Sequence, residues 1–329
     1  MDVATFCTAS RVLVVAGKGG VGKTTMTAAL ARMAAAAGLD VLVVELEGRA
    51  GLARAFARPE PLDYETTDLW AAVPGSGGAV RGRRLTPDDA LLEYLADHGL
   101  HRVSRRLVSS GVVDVVATAI PGIRDVLVLG KVKQLERERV ADLVLVDAPA
   151  TGHAVTFLTS ASGLLDAARG GPVRTQAADV VEMLHDPARC RVVLVTLPEE
   201  MPVSEAVEAA YQLEDQAGIQ LGPVIVNGCD ETVPALATPA AEAAAAVGTE
   251  LDEATAATLD AAATFQARRL ALQGEQLERL GRELPLPQLR APQLVAASIG
   301  PDELEALSAA LADSVAAMSP EAVGGATAV

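Results

Sequence analysis

The chain has 329 residues, is 50% hydrophobic and carries a formal net charge of −16. That is enough material for one large α/β core, or one core with a subdomain. The acidic balance and the lack of a basic block argue against nonspecific nucleic-acid binding and against attraction to an anionic membrane. The three cysteines, Cys7, Cys190 and Cys229, form no C-x-x-C. No zinc clasp or iron–sulfur motif is therefore spelled within one chain, and plain thiols of a reducing cytosol are expected.

The first predicted strand, Val12–Ala16, is a β-branched run that stops at Gly17–Lys18–Gly19–Gly20–Val21–Gly22–Lys23–Thr24–Thr25. An alanine-rich helix follows to Gly38, whose lack of a side chain suits a helix C-terminus. Strand, glycine loop and helix, with G-x-x-x-x-G-K-[ST] at Gly17, Gly22, Lys23 and Thr24, place a phosphate-cradling loop in its proper context. Backbone N–H groups and the helix N-terminus face the phosphates. Lys23 is expected to reach the β- and γ-phosphates, and the Thr24 hydroxyl to ligate Mg²⁺. The plain alternative is a glycine-rich turn with a chance lysine. Lysine usage argues against it: the only lysines are Lys18, Lys23, Lys131 and Lys133, and two of them fall in one loop. A compact ammonium fits between phosphates where a planar guanidinium does not.

Because the first apolar run is this strand, no signal peptide is expected. The longest apolar region, residues 111–130, is broken by Asp114, Pro121, Arg124 and Asp125, so no membrane-spanning helix is expected either. The reading is of a cytoplasmic protein.

Val41–Val44 reads as a second buried strand running into Glu45–Leu46–Glu47–Gly48. Carboxylates there stand at the ligand-binding edge of a doubly wound sheet, or simply belong to a polar loop with a helix cap. Residues 57–137 break the strand–helix alternation. Pro59, Pro61, Pro74 and the glycines of 75–78 mark loops, and helical patterns lie near 87–109 and 123–139. The expectation is a mostly helical insertion. Lys131 and Lys133 sit within it, either on a solvated face or, in a chain so poor in lysine, with a function.

Asp142–Asp147 is the next strand and closes on Asp147–Ala–Pro–Ala–Thr151–Gly152–His153. A hydrophobic strand ending in Asp after a phosphate loop is a Walker B signal, its carboxylate holding the Mg²⁺ shell. His153 is a polar residue in a tight turn or a sensor of the γ-phosphate. Residues 154–189 read as a helical and loop excursion. Strands at 192–196 and 224–226 follow, the second ending in Asn227, which reads an adenine edge or caps the loop. Helices are expected near 238–247, 252–283 and 301–317, and 320–329 as a flexible tail.

Lys18, directly after the first glycine, resembles the deviant Walker A of the MinD/ParA and nitrogenase iron-protein class. The run Asp147–His153 is similar to the D-T-A-P-T-G-H switch II of one branch, the arsenite-pump and tail-anchored-protein-targeting ATPases. Thr196–Glu205 and Val226–Asn227 also match that branch, and the likeness is to its actinobacterial members. The implied fold is an α/β P-loop NTPase: a doubly wound, mostly parallel sheet flanked by helices. Its core covers 1–56 and 138–319, with the helical insertion over 57–137.

The resemblance implies a dimeric switch ATPase using ATP and Mg²⁺. Gly17, Lys18, Gly19, Gly20, Val21, Gly22, Lys23, Thr24, Thr25 and Asn227 are implied to hold the nucleotide. Thr24 and Asp147 are implied to serve the metal, and Thr151, Gly152 and His153 to complete switch II. Lys18 would reach the partner subunit's nucleotide. The branch's switch I reads D-P-A-H, and counting along the strand puts Glu47 at its water-orienting Asp. The extra methylene displaces that carboxylate, at a step sensitive to small misplacements. The implied partners are a second copy or a paralogous subunit, and a membrane-protein client. Three alternatives stand beside this: a weakly hydrolysing half of a heterodimer, a positioning ATPase of the ParA/MinD kind, and a small-molecule kinase or ligase. The helix from Asp302 to Met318 has no basic residue, which counts against membrane targeting.

Overall fold

The computed structural model describes residues 1–46, 51–71, 77–97 and 122–319. Along the chain come α1 (Val3–Thr8), β1 (Val12–Gly17), α2 (Lys23–Ala36), β2 (Val41–Glu45), α3 (Gly51–Ala55), β3 (Thr67–Trp70), β4 (Val80–Arg84) and α4 (Pro87–Asp97). Then follow α5 (Ile123–Arg137), β5 (Leu143–Ala150), α6 (Thr151–Ala167), α7 (Pro172–His185), β6 (Cys190–Thr196) and α8 (Glu200–Tyr211). The rest is β7 (Val224–Cys229), α9 (Ala240–Ala246), α10 (Glu253–Glu283), β8 (Gln288–Pro292) and α11 (Pro301–Ala317).

The strands form one eight-stranded sheet in the order β3-β4-β2-β5-β1-β6-β7-β8. Only β3 runs antiparallel to its neighbour. This is the doubly wound, mostly parallel α/β sheet expected of a P-loop NTPase. β1 is central and wholly buried, because successive side chains enter two different cores. Val12 and Val14 pack with α5, α6 and α7 through Leu129, Leu158 and Met183. Leu13 and Val15 pack with α2 and α11 through Met26, Leu30 and Leu311. Burying both faces is why these strands read as unbroken apolar runs.

The apolar stripe of α11, including Leu304, Leu307, Leu311 and Val315, is buried against the body. It is not a free amphipathic face.

The sheet takes in strands that the sequence did not reveal. Beside its helices, the described part of 57–137 holds β3 and β4, and β4 pairs in parallel with β2 inside the main sheet. The signal was hidden because β4, Val80-Arg-Gly-Arg-Arg84, has a single apolar side chain. Its Gly82 leaves the space that Leu62 and Leu69 fill: a Cβ there would lie 2.6 Å from Leu69 Cδ1. The short α1 and the edge strand β8 also escaped, each too brief to show a period. The expected helical pattern at 98–109 and the tail at 320–329 lie outside the described residues.

Candidate nucleotide site

The glycine loop joins β1 to α2 at the C-terminal edge of the sheet, where a doubly wound fold opens its ligand crevice. Two glycines are required by close contacts. A Cβ on Gly17 would sit 2.3 Å from the Val195 carbonyl oxygen on β6. Gly22 has φ +90°, and a Cβ there would sit 2.4 Å from Asn227 Nδ2. The turn so made delivers the N-terminus of α2 at Lys23 to the crevice, with the N–H groups of its first turn and its positive dipole end.

A cleft of about 500 Å³ opens over this loop. Its walls include Gly19, Gly20, Gly22, Lys23, Thr24, Thr25, Asp147 and His153. Lys23 Nζ donates to the Lys18 carbonyl oxygen at 3.1 Å, folding the loop around the ammonium. Thr24 Oγ1 donates to Asp147 Oδ2 at 2.7 Å, and Thr27 Oγ1 donates to Asp147 Oδ1 at 3.4 Å. The buried Asp147 carboxylate is therefore fixed under the start of α2, by the parallel register that sets Val15 beside it. Thr151 and Gly152 begin α6 directly after β5, so His153 faces the cleft from the first turn of that helix.

Two of the residues expected to hold the nucleotide make contacts within the protein. Lys18 Nζ lies 2.5 Å from Glu205 Oε1 on α8, with the lysine side chain 44% exposed. Asn227 Nδ2 donates to the Val21 carbonyl oxygen at 2.9 Å, so its amide buttresses the loop from β7. Glu47 lies outside the described residues.

A carboxylate that the sequence set at the ligand-binding edge without a specific role stands in the cleft wall. Glu45 ends β2 in register with Asp147 on β5 and with Arg84 on β4. It is 2% exposed, and its Oε2 is buried without a hydrogen-bond partner. Burial pushes its carboxyl up to about 7; the negative Asp147 adds to the rise and Arg84 opposes it. Its signal was present, a carboxylate at the very end of a buried strand, but the count along the strand favoured Glu47.

Lys131 and Lys133 do not face this cleft. Lys131 Nζ pairs with Glu93 at 2.5 Å, and Lys133 Nζ pairs with Asp179 at 2.8 Å. Each ties α5 to a neighbouring helix.

Residues 12–232 match the family model described as the CobQ/CobB/MinD/ParA nucleotide binding domain. The ATPase BagA of Mycobacterium tuberculosis is 41% identical over 245 residues, which cover 72% of this chain and 70% of that protein. A putative arsenical pump-driving ATPase of Halobacterium salinarum is 30% identical over 232 residues, 66% of this chain and 35% of that one. An arsenical pump-driving ATPase of Escherichia coli is 28% identical over 219 residues, and the aligned part is 34% of its length. The chain thus spans about a third of those pump ATPases. With the glycine loop, the buried Asp147 and a match over most of its length, the chain belongs to the CobQ/CobB/MinD/ParA nucleotide-binding family, as a P-loop ATPase of the arsenite-pump-like kind.

Proposed function

We propose that this protein binds ATP with Mg²⁺ in the cleft over Gly17–Thr25 and hydrolyses it as a dimeric switch. The carrying observation is the 2.7 Å contact between Thr24 Oγ1 and Asp147 Oδ2 at the start of α2. A hydroxyl and a carboxylate held together beside a phosphate cradle form an oxygen-only donor pair, which fits Mg²⁺. Thr24 and Asp147 would hold that ion, which would supply positive charge to offset that of the phosphates.

The chain's own residues do the rest by position and charge. Backbone N–H groups from Gly19 to Thr25 fix the phosphates, and Lys23 stabilises charge on the transferring phosphoryl group. Glu47 orients the attacking water. Lys18, exposed at the rim, leaves Glu205 to reach the nucleotide of a second subunit, either a copy of this chain or a paralogue. β5 runs into α6 without an intervening loop, and α6 packs in the same core as α5 and α7. Release of the γ-phosphate at 147–153 is thereby passed to these helices, and from them to a client of membrane-protein type.

The test is ATP hydrolysis with Mg²⁺ by the purified protein, beside Lys23→Ala and Glu47→Gln, with oligomeric state followed by sedimentation. Turnover lost in both variants, with dimerisation driven by ATP, is expected. Turnover that survives Lys23→Ala overturns the site. Tight ATP binding with no turnover in the parent assigns the protein to a heterodimer whose paralogue carries the activity.

A further inference from the structure

α10 spans 31 residues, about 46 Å of helix, yet only Gln273 and Leu280, both in its C-terminal third, are buried. Gln273 anchors it: its amide accepts from the Asp230 N–H at 2.9 Å, and Arg269 pairs with Asp230 at 2.7 Å. From there back to Asp252 the helix projects from the body with α9 lying against it. The Asp260 carboxylate, accepting from the Ala240 N–H at 2.8 Å, holds the two together.

Between the 3₁₀ turn Pro234–Ala237, α9 and the N-terminal half of α10 runs an apolar groove of about 650 Å³. Leu236, Val247 and Leu259 line it, exposed by 44%, 78% and 48%. Val233 and Phe265, nearby in sequence, are also exposed. Single exposed apolar residues are ordinary, but a contiguous set around a groove marks a contact surface.

Charge selects the occupant. Residues 229–267 hold seven Asp or Glu and no Lys, Arg or His. Asp260 lines the groove itself, and Glu250 and Glu253 flank its wall residue Leu251; both glutamates are exposed and have no ion-pair partner among the described residues. A second copy docking here about a two-fold axis would set this acidic rim against itself. We propose that the α9–α10 hairpin docks a partner polypeptide through a cationic amphipathic helix. Its apolar side chains enter the groove, and its Lys or Arg residues meet the carboxylate rim. This surface is separate from the nucleotide cleft and does not depend on hydrolysis.

The probe is a fluorescent helical peptide of about eighteen Leu and Lys residues, titrated by anisotropy against the full chain. One control replaces each Lys by Glu, and another each Leu by Ser. Val247→Ser with Leu259→Ser removes the apolar lining. Glu250→Gln with Glu253→Gln removes part of the rim. All four positions are exposed, so the melting temperature should hold. The Leu/Lys peptide should bind one to one, lose about tenfold in affinity with the serine pair and severalfold with the glutamine pair, and weaken with salt. Neither control should bind. Equal binding by the Ser/Lys peptide, or undiminished binding by the serine pair, overturns the proposal. Self-association of the chain that the serine pair abolishes would assign the groove to a second copy and overturn it equally.

Discussion

Glu45 and Asp147 stand opposite one another on adjacent parallel strands, two carboxylates in the floor of one cleft. Asp147 has the Thr24 and Thr27 hydroxyls donating to it, while Glu45 Oε2 has no donor. Burial holds Glu45 near 7, well above the ordinary 4.5. A carboxyl whose folded value is raised favours the fold most below about pH 4.5, and that contribution is lost as pH climbs through about 7. Glu45→Gln keeps the shape without the charge. In urea melts, the ligand-free variant should match the parent near pH 5 and exceed it by on the order of 2 kcal/mol at pH 8. Parallel stabilities across that range would show that Glu45 titrates normally.

The Lys18–Glu205 contact joins the glycine loop to α8, with both side chains partly exposed. Such a pair contributes little to stability, below about 1 kcal/mol, so it is readily exchanged for another partner. Lys18→Ala should bind ATP nearly as well as the parent but turn it over more slowly. Glu205→Gln should raise turnover or tighten ATP-dependent dimerisation a fewfold, by removing the competitor for the ammonium. Steady-state kinetics over a range of protein concentrations separates these outcomes. An unchanged rate in Lys18→Ala removes its role across subunits.

Lys131 and Lys133 show how a compositional signal is resolved by packing. Both are nearly buried on α5, and each has a carboxylate partner, Glu93 on α4 and Asp179 on α7. Removing one partner of a desolvated pair leaves the other uncompensated. Lys131→Ala should cost about 1–3 kcal/mol in denaturant unfolding while ATP affinity and turnover stay at parental values. A fall in turnover at unchanged stability would restore a functional role to this lysine.

The parts of the molecule legible in the sequence were those where one physical demand dominated. β1, β2, β5 and the first part of β7 are buried on both faces, so their apolar runs stand out. The glycine loop is legible because only glycine clears Val195 and Asn227. β4 was not, because three of its five residues are arginine and its place in the sheet rests on a small Gly82 beside long leucines. Glu45 was passed over for a related reason. Its unusual state comes first from burial and then from Asp147, about a hundred residues onward, which only the parallel register brings alongside.

Asn227 was open to two readings, an adenine-reading amide or a cap on the loop. Its Nδ2 is engaged with the Val21 carbonyl, and the same nitrogen would clash with any Cβ on Gly22. In this geometry the amide supports the loop's shape. Asn227→Ala should remove one hydrogen bond from the cradle and weaken nucleotide binding by about 1–2 kcal/mol. The loss should be equal for ATP and GTP, because the phosphates, common to both, are what the loop holds. Gly22→Ala, which strains φ as well as meeting Asn227, should abolish binding, and adding Asn227→Ala should restore only part of it. Titration of each variant with both nucleotides decides the matter. If Asn227→Ala lost affinity for ATP alone, the amide would be reading the adenine edge.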